Sequence, residues 1–323
     1  MRASARGDNH FGANRDVWPP PRGQNWNSSP SPGHHVRQPA RATVVPNPNA
    51  VFTKADRKRC TILITDDMRT SFRQDGYLVV PNVLSAAQIA KARRALAEME
   101  RSETHTLQKG DVEALREGRG GYYIWHQSFI RQESRSLLDL YTETGIGKLA
   151  DQLLRSDIPS TQPRVAQVVV TVPPWPGHGP QRVPHFDGPM LIPGTWEPTS
   201  FSLLAGVWLT QHELSSSGNL LVWPGTHLRF GEYLAERGAD SIADTDAMHE
   251  GPYPKIELGD PVPVTVAAGS VYFAHYLLAH EAGKFIDPTG DRRETVYYRL
   301  NAERHESNWR QAVTEPLSEF ASA

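Results

Sequence analysis

Two histidines and one aspartate stand out in this chain because their types and spacing suit a metal ion. His185 and Asp187 flank a single residue, and His280 follows 95 positions after His185. Two histidines and one carboxylate form the facial set that holds non-haem Fe(II) and leaves coordination positions open. In a strand, residues two apart point to the same face, so His185 and Asp187 can bind one metal. Taken alone, a His-x-Asp triplet is also compatible with an ordinary hydrogen-bonded pair at a strand end.

A pair of arginines follows the second histidine. Arg293 lies 13 residues after His280, and Arg292 precedes it as an alternative one residue out of register. A guanidinium group pairs with a carboxylate through two parallel hydrogen bonds, which suits the distal carboxylate of a dicarboxylate cosubstrate. Together with the three metal-binding candidates, Arg293 predicts a site for Fe(II) and 2-oxoglutarate.

The second histidine closes an apolar stretch that begins at Gly269 and is typical of a buried strand. A histidine at the end of such a strand can face a site at the mouth of a barrel. His275 competes with His280, but an offset of five residues puts the two on opposite faces of a regular strand. We therefore expect only one of them to face the metal.

Composition excludes several classes of protein. The single cysteine, Cys60, excludes an internal disulfide and a cysteine-rich zinc module. The net charge is -2, and residues 1–50 contain six arginines and two aspartates, so the remainder is acidic and offers no basic face for nucleic acid. No run approaches the roughly 18 apolar residues of a membrane span, and no signal-peptide core follows the N-terminus. These observations predict a cytoplasmic protein with neither a nucleic-acid nor a membrane partner.

Composition and residue patterning divide the chain into three parts. Residues 1–50 hold eight of the 26 prolines and show neither helical nor strand periodicity. Such a segment buries too little apolar surface to offset the entropy of ordering it. We therefore expect a disordered N-terminal tail at residues 1–55, one domain at residues 56–301 and a C-terminal tail at residues 302–323.

Within the predicted domain, helical patterns come first and strand patterns follow. Ser85 with Gln88 three residues later predicts a capped helix, and a second helical stretch covers residues 137–154. Short β-branched runs without intervening helices are typical of an antiparallel sandwich or barrel. We predict a jelly roll with helices on one face and the metal in its open mouth. The predicted strands cover residues 164–172, 201–210, 219–223, 262–266, 270–276 and 295–301.

Two long segments lack these patterns. Residues 188–200 and 231–255 are predicted to be loops over the mouth of the barrel. Loops of this length in a compact domain are commonly functional lids or disordered segments, so we expect them to shape the substrate pocket.

The chain resembles the phytanoyl-CoA dioxygenase family over about residues 70–301. The element Gly-Asn-Leu-Leu-Val-Trp-Pro-Gly-Thr-His at residues 218–227, placed between the His-x-Asp triplet and the distal histidine, is the most specific part of the resemblance. The other matching parts are residues 72–80 before the capped helix, His185-Phe-Asp187, Ala268-Gly-Ser270 leading to His280, and Arg293.

This resemblance implies a mainly β fold with flanking helices, a double-stranded β-helix of the jelly-roll or cupin-like kind. It implies an enzyme that uses Fe(II), 2-oxoglutarate and O2 to hydroxylate or otherwise oxidise a small organic substrate. In the family pattern, His185, Asp187 and His280 match the iron ligands, and Arg293 matches the partner of 2-oxoglutarate. Trp208 and Gln167 match positions close to the cosubstrate.

Some positions match the pattern less well. Ala282 stands where the family often has a small polar residue that bonds the cosubstrate. His227, in Pro-Gly-Thr-His, is expected to hydrogen-bond the backbone of a turn and not to bind the metal.

Two other functions are compatible with the same barrel: a non-catalytic cupin-like small-molecule binding protein, and a metal-dependent isomerase or epimerase that needs no 2-oxoglutarate.

Overall fold

The structure is a computed structural model that describes residues 63–102, 110–128, 136–154, 162–163, 165–177, 184–187, 190–191, 198–212, 214, 216–243, 256–287 and 290–322. The predicted N-terminal tail lies outside these residues, as do parts of the two segments predicted as loops over the mouth. Among the described residues, no helix combines the length and the apolarity needed to cross a membrane.

Helices precede, interrupt and follow the strands. Ser85 caps the second helix, because its hydroxyl accepts from the backbone of Gln88 while the Gln88 side chain accepts from the Ser85 backbone N–H, as the sequence predicts. The predicted stretch 137–154 is two helices, separated at Gly145 in the left-handed conformation (φ +79°). The helices are α1 Asp66–Asp75, α2 Ala86–Arg101, α3 Val112–Arg116, α4 Ser136–Glu143, α5 Ile146–Leu153, α6 Thr226–Arg237 and α7 His305–Thr314, with a 3-10 helix at Ala239–Ala243.

Every predicted strand is present, with bounds within three residues of those expected. The strands are β1 Tyr77–Val80, β2 Gly121–Ser128, β3 Val165–Val172, β4 Met190–Leu191, β5 Pro198–Thr199, β6 Leu203–Trp208, β7 Leu220–Val222, β8 Val262–Val264, β9 Val271–His275, β10 His280–Ala282 and β11 Arg293–Leu300. The sequence analysis did not predict β2, β4, β5 or β10. The aromatic residues of β2 give no regular alternation of apolar and polar positions, and the short β4 and β5 lie in the segment 188–200 that was predicted as a loop.

The strands form two antiparallel sheets and one short pair. The larger sheet has six strands in the order β1-β9-β6-β11-β3-β2, and the smaller has three in the order β10-β7-β8. β4 pairs with β5. This order of strands, with neighbours far apart in sequence, agrees with the predicted jelly-roll fold.

The inner strands β6, β9 and β11 of the six-stranded sheet are buried on both faces. Val168 and Val170 of β3 lie in a core shared with α2, α4 and α5, whereas Val169 lies in a second core shared with β7, β8, α6 and α7. Helices α2, α4 and α5 therefore cover one face of the large sheet, whereas the small sheet, α6 and α7 cover part of the other. This second face carries the candidate site.

Two boundaries predicted from the sequence are wrong. Residues 231–255 were predicted as a loop, but α6 continues to Arg237 and the 3-10 helix follows it. Phe230 and Leu234, four residues apart, are both buried in the second core, and this helical spacing stabilises α6.

Residues 302–322, predicted as a C-terminal tail, contain α7 and pack onto the domain. Trp309 and Val313 of α7 are buried in the second core, and Phe320 is buried in the first. His305 hydrogen-bonds Ser200 at 2.9 Å on one side and the Glu319 carboxylate at 2.9 Å on the other. The domain therefore does not end at residue 301.

Candidate active site

The three predicted metal ligands meet where the short segment 184–187 runs beside β10. His185 and His280 form an isolated antiparallel bridge, in which each backbone N–H donates to the other residue's carbonyl, at 3.0 and 2.8 Å. Their ring centroids lie 4.6 Å apart. One possible ligand atom from each of His185, Asp187 and His280 lies within 4.8 Å of the other two. Phe186, which lies between His185 and Asp187 in sequence, packs into the second core, with its ring centroid 5.1 Å from that of Phe230.

The backbone holds His280 in one tautomer. Its Nδ1–H donates to the carbonyl of Leu278 at 3.0 Å, since a carbonyl oxygen can only accept. In the neutral ring, Nε2 is then an electron-pair donor, and it faces Oδ1 of Asp187 at 3.6 Å. A metal cation between Nε2 of His280 and Oδ1 of Asp187 would accept an electron pair from each. Histidines that bind metals commonly donate their other ring N–H to a carbonyl, as His280 does to Leu278. This donor set therefore fits a divalent transition metal.

Asp187 is ionised because a guanidinium group lies against it. Nη2 of Arg299 donates to Oδ2 of Asp187 at 2.8 Å. Burial by itself would raise the pKa of Asp187, but Arg299, together with His280 and His185, outweighs it and holds the pKa well below its usual range. The carboxylate is therefore charged and can serve as an anionic ligand.

Arg293 lines the same cavity as the three candidate metal ligands. It is fully buried and its Nη2 donates to the hydroxyl of Tyr297 at 2.8 Å. Its Nε has no hydrogen-bond partner, and it forms no ion pair with any carboxylate of the described residues. A buried cation in this state attracts an anionic ligand, because an unpaired charge in a protein interior is costly.

Arg292 points away from this site. It forms a bidentate ion pair with Glu100 of α2, with both nitrogen–oxygen distances at 3.0 Å, and its Nε donates to Glu294 at 2.7 Å. These bonds fasten α2 to the start of β11 on the helix-covered side. Of the two arginines left open by the sequence, only Arg293 reaches the cavity.

The cavity has a volume of about 80 Å³ and extends from the His-Asp-His cluster to Arg293. Gln167, Tyr297 and Ala282 line it. The methyl group of Ala282 offers no hydrogen bond at the position where the family often has a small polar residue. Trp208 does not line the cavity. It is fully buried, 5.9 Å from the Arg293 guanidinium and edge-on to Tyr297. Trp208 therefore packs behind the arginine, whereas Gln167 lines the cavity directly.

The two histidines that could have competed for the metal both bind backbone groups elsewhere. His275 donates from Nε2 to the carbonyl of Pro316 at 2.8 Å, and its Nδ1 accepts from Leu277 N–H at 3.0 Å. His227 donates to the carbonyl of Arg73 at 3.1 Å. Because both ring nitrogens of His275 are already engaged, it has no free electron pair for a metal.

Sequence reasoning missed two polar residues of the site, Tyr297 and Arg299. Both lie on β11 at even offsets from Arg293, and residues at even offsets in a strand share a face. The alternation rule applied onward from Arg293 would have placed both side chains on the cavity side. Burial alone would not have found them, because β11 is buried on both faces.

Solved structures similar to this chain include several whose descriptions mention the same cosubstrate. The non-haem alpha-ketoglutarate-dependent carbocyclase SnoK from nogalamycin biosynthesis is 21% identical, with a TM-score of 0.48 and coverage of 76% of this chain and 90% of that chain. HygX from Streptomyces hygroscopicus, with nickel and 2-oxoglutarate bound, is 14% identical, with a TM-score of 0.44 and coverage of 74% and 87%.

Sequence comparison identifies the family. No curated protein sequence matches the chain. The sequence profile of the phytanoyl-CoA dioxygenase (PhyH) family matches residues 72–292, more than half of the chain. The match includes His185, Asp187 and His280 and ends immediately before Arg293. The chain therefore belongs to the phytanoyl-CoA dioxygenase family of iron- and 2-oxoglutarate-dependent oxygenases.

Proposed function

We propose that His185, Asp187 and His280 hold the iron, and that Arg293 binds the distal carboxylate of 2-oxoglutarate. One observation carries the proposal: three possible ligand atoms lie within 4.8 Å of one another in the wall of a cavity, and the same cavity is lined by a buried arginine that has no carboxylate partner among the described residues. A dicarboxylate bound between them would satisfy the metal and the cation together.

The residues around the cavity bind and orient the cosubstrate. Arg293 offers its guanidinium edge, and Tyr297 fixes that edge by accepting from Nη2. Burial raises the pKa of Tyr297, so its phenol stays protonated and can donate to a carboxylate oxygen. Gln167 supports the wall near Asp187, and Trp208 packs behind Arg293. When bound, iron and 2-oxoglutarate supply the oxidising chemistry, which consumes O2 and yields succinate and CO2.

The primary substrate is, in this proposal, a small organic molecule that is hydroxylated, desaturated or cyclised at a C–H bond beside the metal ligands. The stacked rings of Tyr122 and Trp175, 4.9 Å between centroids, support this view, because Tyr122 lines the cavity and gives it an apolar wall. The cytoplasmic location predicted from the sequence belongs to the proposal as well.

An anaerobic titration with Fe(II) and 2-oxoglutarate tests the function without knowledge of the substrate. The metal chelate of 2-oxoglutarate should give a visible charge-transfer band that saturates at one equivalent of each. Without Fe(II), or with succinate in place of 2-oxoglutarate, the band should be absent. No band at saturating iron would contradict the proposal.

The same preparation distinguishes the two alternative functions. A cupin-like binding protein would show neither the band nor succinate formation after O2 is admitted. A metal-dependent isomerase or epimerase that needs no 2-oxoglutarate would bind the metal but leave 2-oxoglutarate unconsumed. Slow substrate-independent formation of succinate, measured by mass spectrometry, supports the oxygenase and argues against both.

A further inference from the structure

The two carboxylate oxygens of Asp187 have different partners. Oδ2 accepts from Arg299 Nη2 at 2.8 Å, whereas Oδ1 faces Nε2 of His280 at 3.6 Å. The side chains of Arg299 and Asp187 are only 24% and 18% exposed, so water competes weakly for this ion pair. One oxygen is therefore bound to protein, and the other is turned toward the histidines.

The surrounding residues fix the position of Arg299. Its backbone pairs with Leu204 across β11 and β6, and its side chain lies on the cavity side of the sheet. The guanidinium lies 5.5 Å from the ring centre of Phe201, and the same Nη2 also donates to Oε1 of Gln167 at 3.3 Å. Contacts on three sides hold the cation so that it can in turn hold the carboxylate.

We propose that Arg299 is a positioning residue for Asp187, which makes this carboxylate bind the metal through Oδ1 alone. The inference rests on the proposed function, since it assumes that Asp187 is a ligand. A carboxylate whose second oxygen is engaged in a short charge-assisted hydrogen bond cannot easily swing both oxygens onto a metal. Asp187 then occupies one coordination position, and the positions needed by 2-oxoglutarate and O2 stay open.

Loss of Arg299 should weaken metal binding, although it does not touch the metal. Groups that bond to a metal ligand orient it, and their removal typically lowers metal affinity roughly 10- to 100-fold. Without the guanidinium, Asp187 would be free to rotate and to bind with both oxygens. The weaker affinity should be accompanied by a changed coordination number.

A different role for Arg299 predicts a different result. If it anchored an anionic primary substrate, its removal would raise the KM for that substrate and leave the metal affinity unchanged. If it served stability alone, its removal would lower the melting temperature of the metal-free protein and leave the spectrum of the loaded protein unchanged. Metal affinity and spectrum together therefore separate positioning from the other two roles.

The test compares the unmodified protein with Arg299→Ala, Arg299→Gln and Arg299→Lys. Anaerobic calorimetry measures the dissociation constant for Co(II) as a redox-stable probe, and the visible absorption of the Co(II)-loaded protein reports coordination. We expect a roughly 10- to 100-fold weaker affinity in the alanine variant, a changed absorption intensity, and partial recovery in the lysine variant, which keeps the charge but not the fork.

The control is Arg292→Ala, which removes a neighbouring arginine of the same charge from the other side of the sheet. It should bind Co(II) within about twofold of the unmodified protein, because Arg292 makes no contact with a ligand residue. If the alanine variant fails to fold, the glutamine and lysine variants carry the test.

The outcomes separate the two proposals. Unchanged Co(II) affinity and spectrum in the folded Arg299 variants would overturn the positioning role while leaving the iron site intact. Absence of Co(II) binding and of the charge-transfer band in the unmodified protein would instead overturn the proposed function itself.

Discussion

His275 and His280 lie five residues apart but in two different sheets. His275 ends β9 of the six-stranded sheet, and His280 begins β10 of the three-stranded sheet, where it bridges to His185. The four residues between them carry the chain from one sheet to the other. The strand predicted at residues 270–276 is thus β9, and the apolar residues that follow it cross to β10 of the other sheet.

Metal binding should depend on His280 and not on His275. His280→Ala should abolish turnover and weaken Fe(II) binding, because it removes one of three ligand atoms that lie within 4.8 Å of one another. His275→Ala should keep the metal, since both of its ring nitrogens bond backbone groups. Anaerobic Fe(II) titration of the two variants measures the difference. Retention of iron by His280→Ala with loss in His275→Ala would contradict the ligand assignment.

The two adjacent arginines should have separable effects. Arg293→Ala leaves the distal carboxylate of 2-oxoglutarate unpaired in a buried site, at a cost of roughly 3–5 kcal/mol, which is about two to three and a half orders of magnitude in affinity. Fe(II) binding should change little. Arg292→Ala breaks the ion pair with Glu100 and should lower the free energy of unfolding without affecting 2-oxoglutarate. Titration of the charge-transfer band with 2-oxoglutarate gives the cosubstrate affinity of each variant. Weaker binding in Arg292→Ala and unchanged binding in Arg293→Ala would identify Arg292 as the residue that binds the distal carboxylate.

Tyr297 and Tyr298 offer a matched pair on opposite faces of β11. Tyr297→Phe removes the hydroxyl that accepts from Arg293, and a hydrogen bond to a charged group contributes about 1.5–3 kcal/mol, so we expect 2-oxoglutarate binding to be weaker by roughly 10- to 100-fold. Tyr298→Phe removes a bond to the carbonyl of Leu137 in the other core and should reduce stability alone. Equal 2-oxoglutarate affinity in the two variants would exclude a cosubstrate role for Tyr297.

The C-terminal helix should contribute strongly to stability. Trp309→Ala empties a buried position in the second core and should lower the free energy of unfolding by about 3–5 kcal/mol. Glu303→Ala, an exposed change just before the helix, should stay within about 0.5 kcal/mol. Deletion of residues 1–55, the tail predicted from the sequence, should leave the melting temperature unchanged. Urea unfolding of the two substitution variants and thermal unfolding of the deletion variant test these expectations. An unaffected Trp309→Ala would show that α7 is dispensable.

Acid should destabilise the fold through buried neutral histidines. Burial, with a smaller effect of Arg293, lowers the pKa of His212 from 6.5 to about 4. Its Nδ1–H donates to the carbonyl of Ser217, and its Nε2 accepts from the hydroxyl of Thr210, which already accepts from the backbone of Glu294. A proton on Nε2 would break this chain of bonds.

The sign follows from the lowered pKa in the folded state. The unfolded chain binds a proton below about pH 6.5 whereas folded His212 stays neutral down to about pH 4, so the free energy of unfolding falls as pH falls through this window. Between pH 7 and 5.5 this one group should contribute about 1 kcal/mol. His212→Asn should show a correspondingly shallower decline in urea unfolding at the two pH values. An identical pH dependence in the variant would contradict the protonation argument.

Local features of the sequence identified the candidate metal ligands and most of the helices and strands. The His-x-Asp triplet puts two donors on one side of an extended segment, and the Ser85–Gln88 box starts a helix, because both depend on residues a few positions apart. The β-branched runs likewise predicted most strands of the two sheets, but not β2 or β10. The boundaries at residues 231–255 and 302–323 were wrong because their apolar residues acquire partners only from distant strands and helices.

The tertiary structure decided how distant residues are paired. Local spacing cannot tell that Arg299 bonds Asp187, 112 residues away, since the contact depends on which strands are neighbours. The sequence also could not decide whether Arg293 or Arg292 lines the cavity, because β11 is buried on both faces. The two arginines differ only in what packs against each face: Arg292 pairs with Glu100 of α2, and Arg293 lines the cavity. The sequence by itself thus specified which side chains can bind a metal and a dicarboxylate, whereas strand order and the crossing between sheets determined which of them share one cavity.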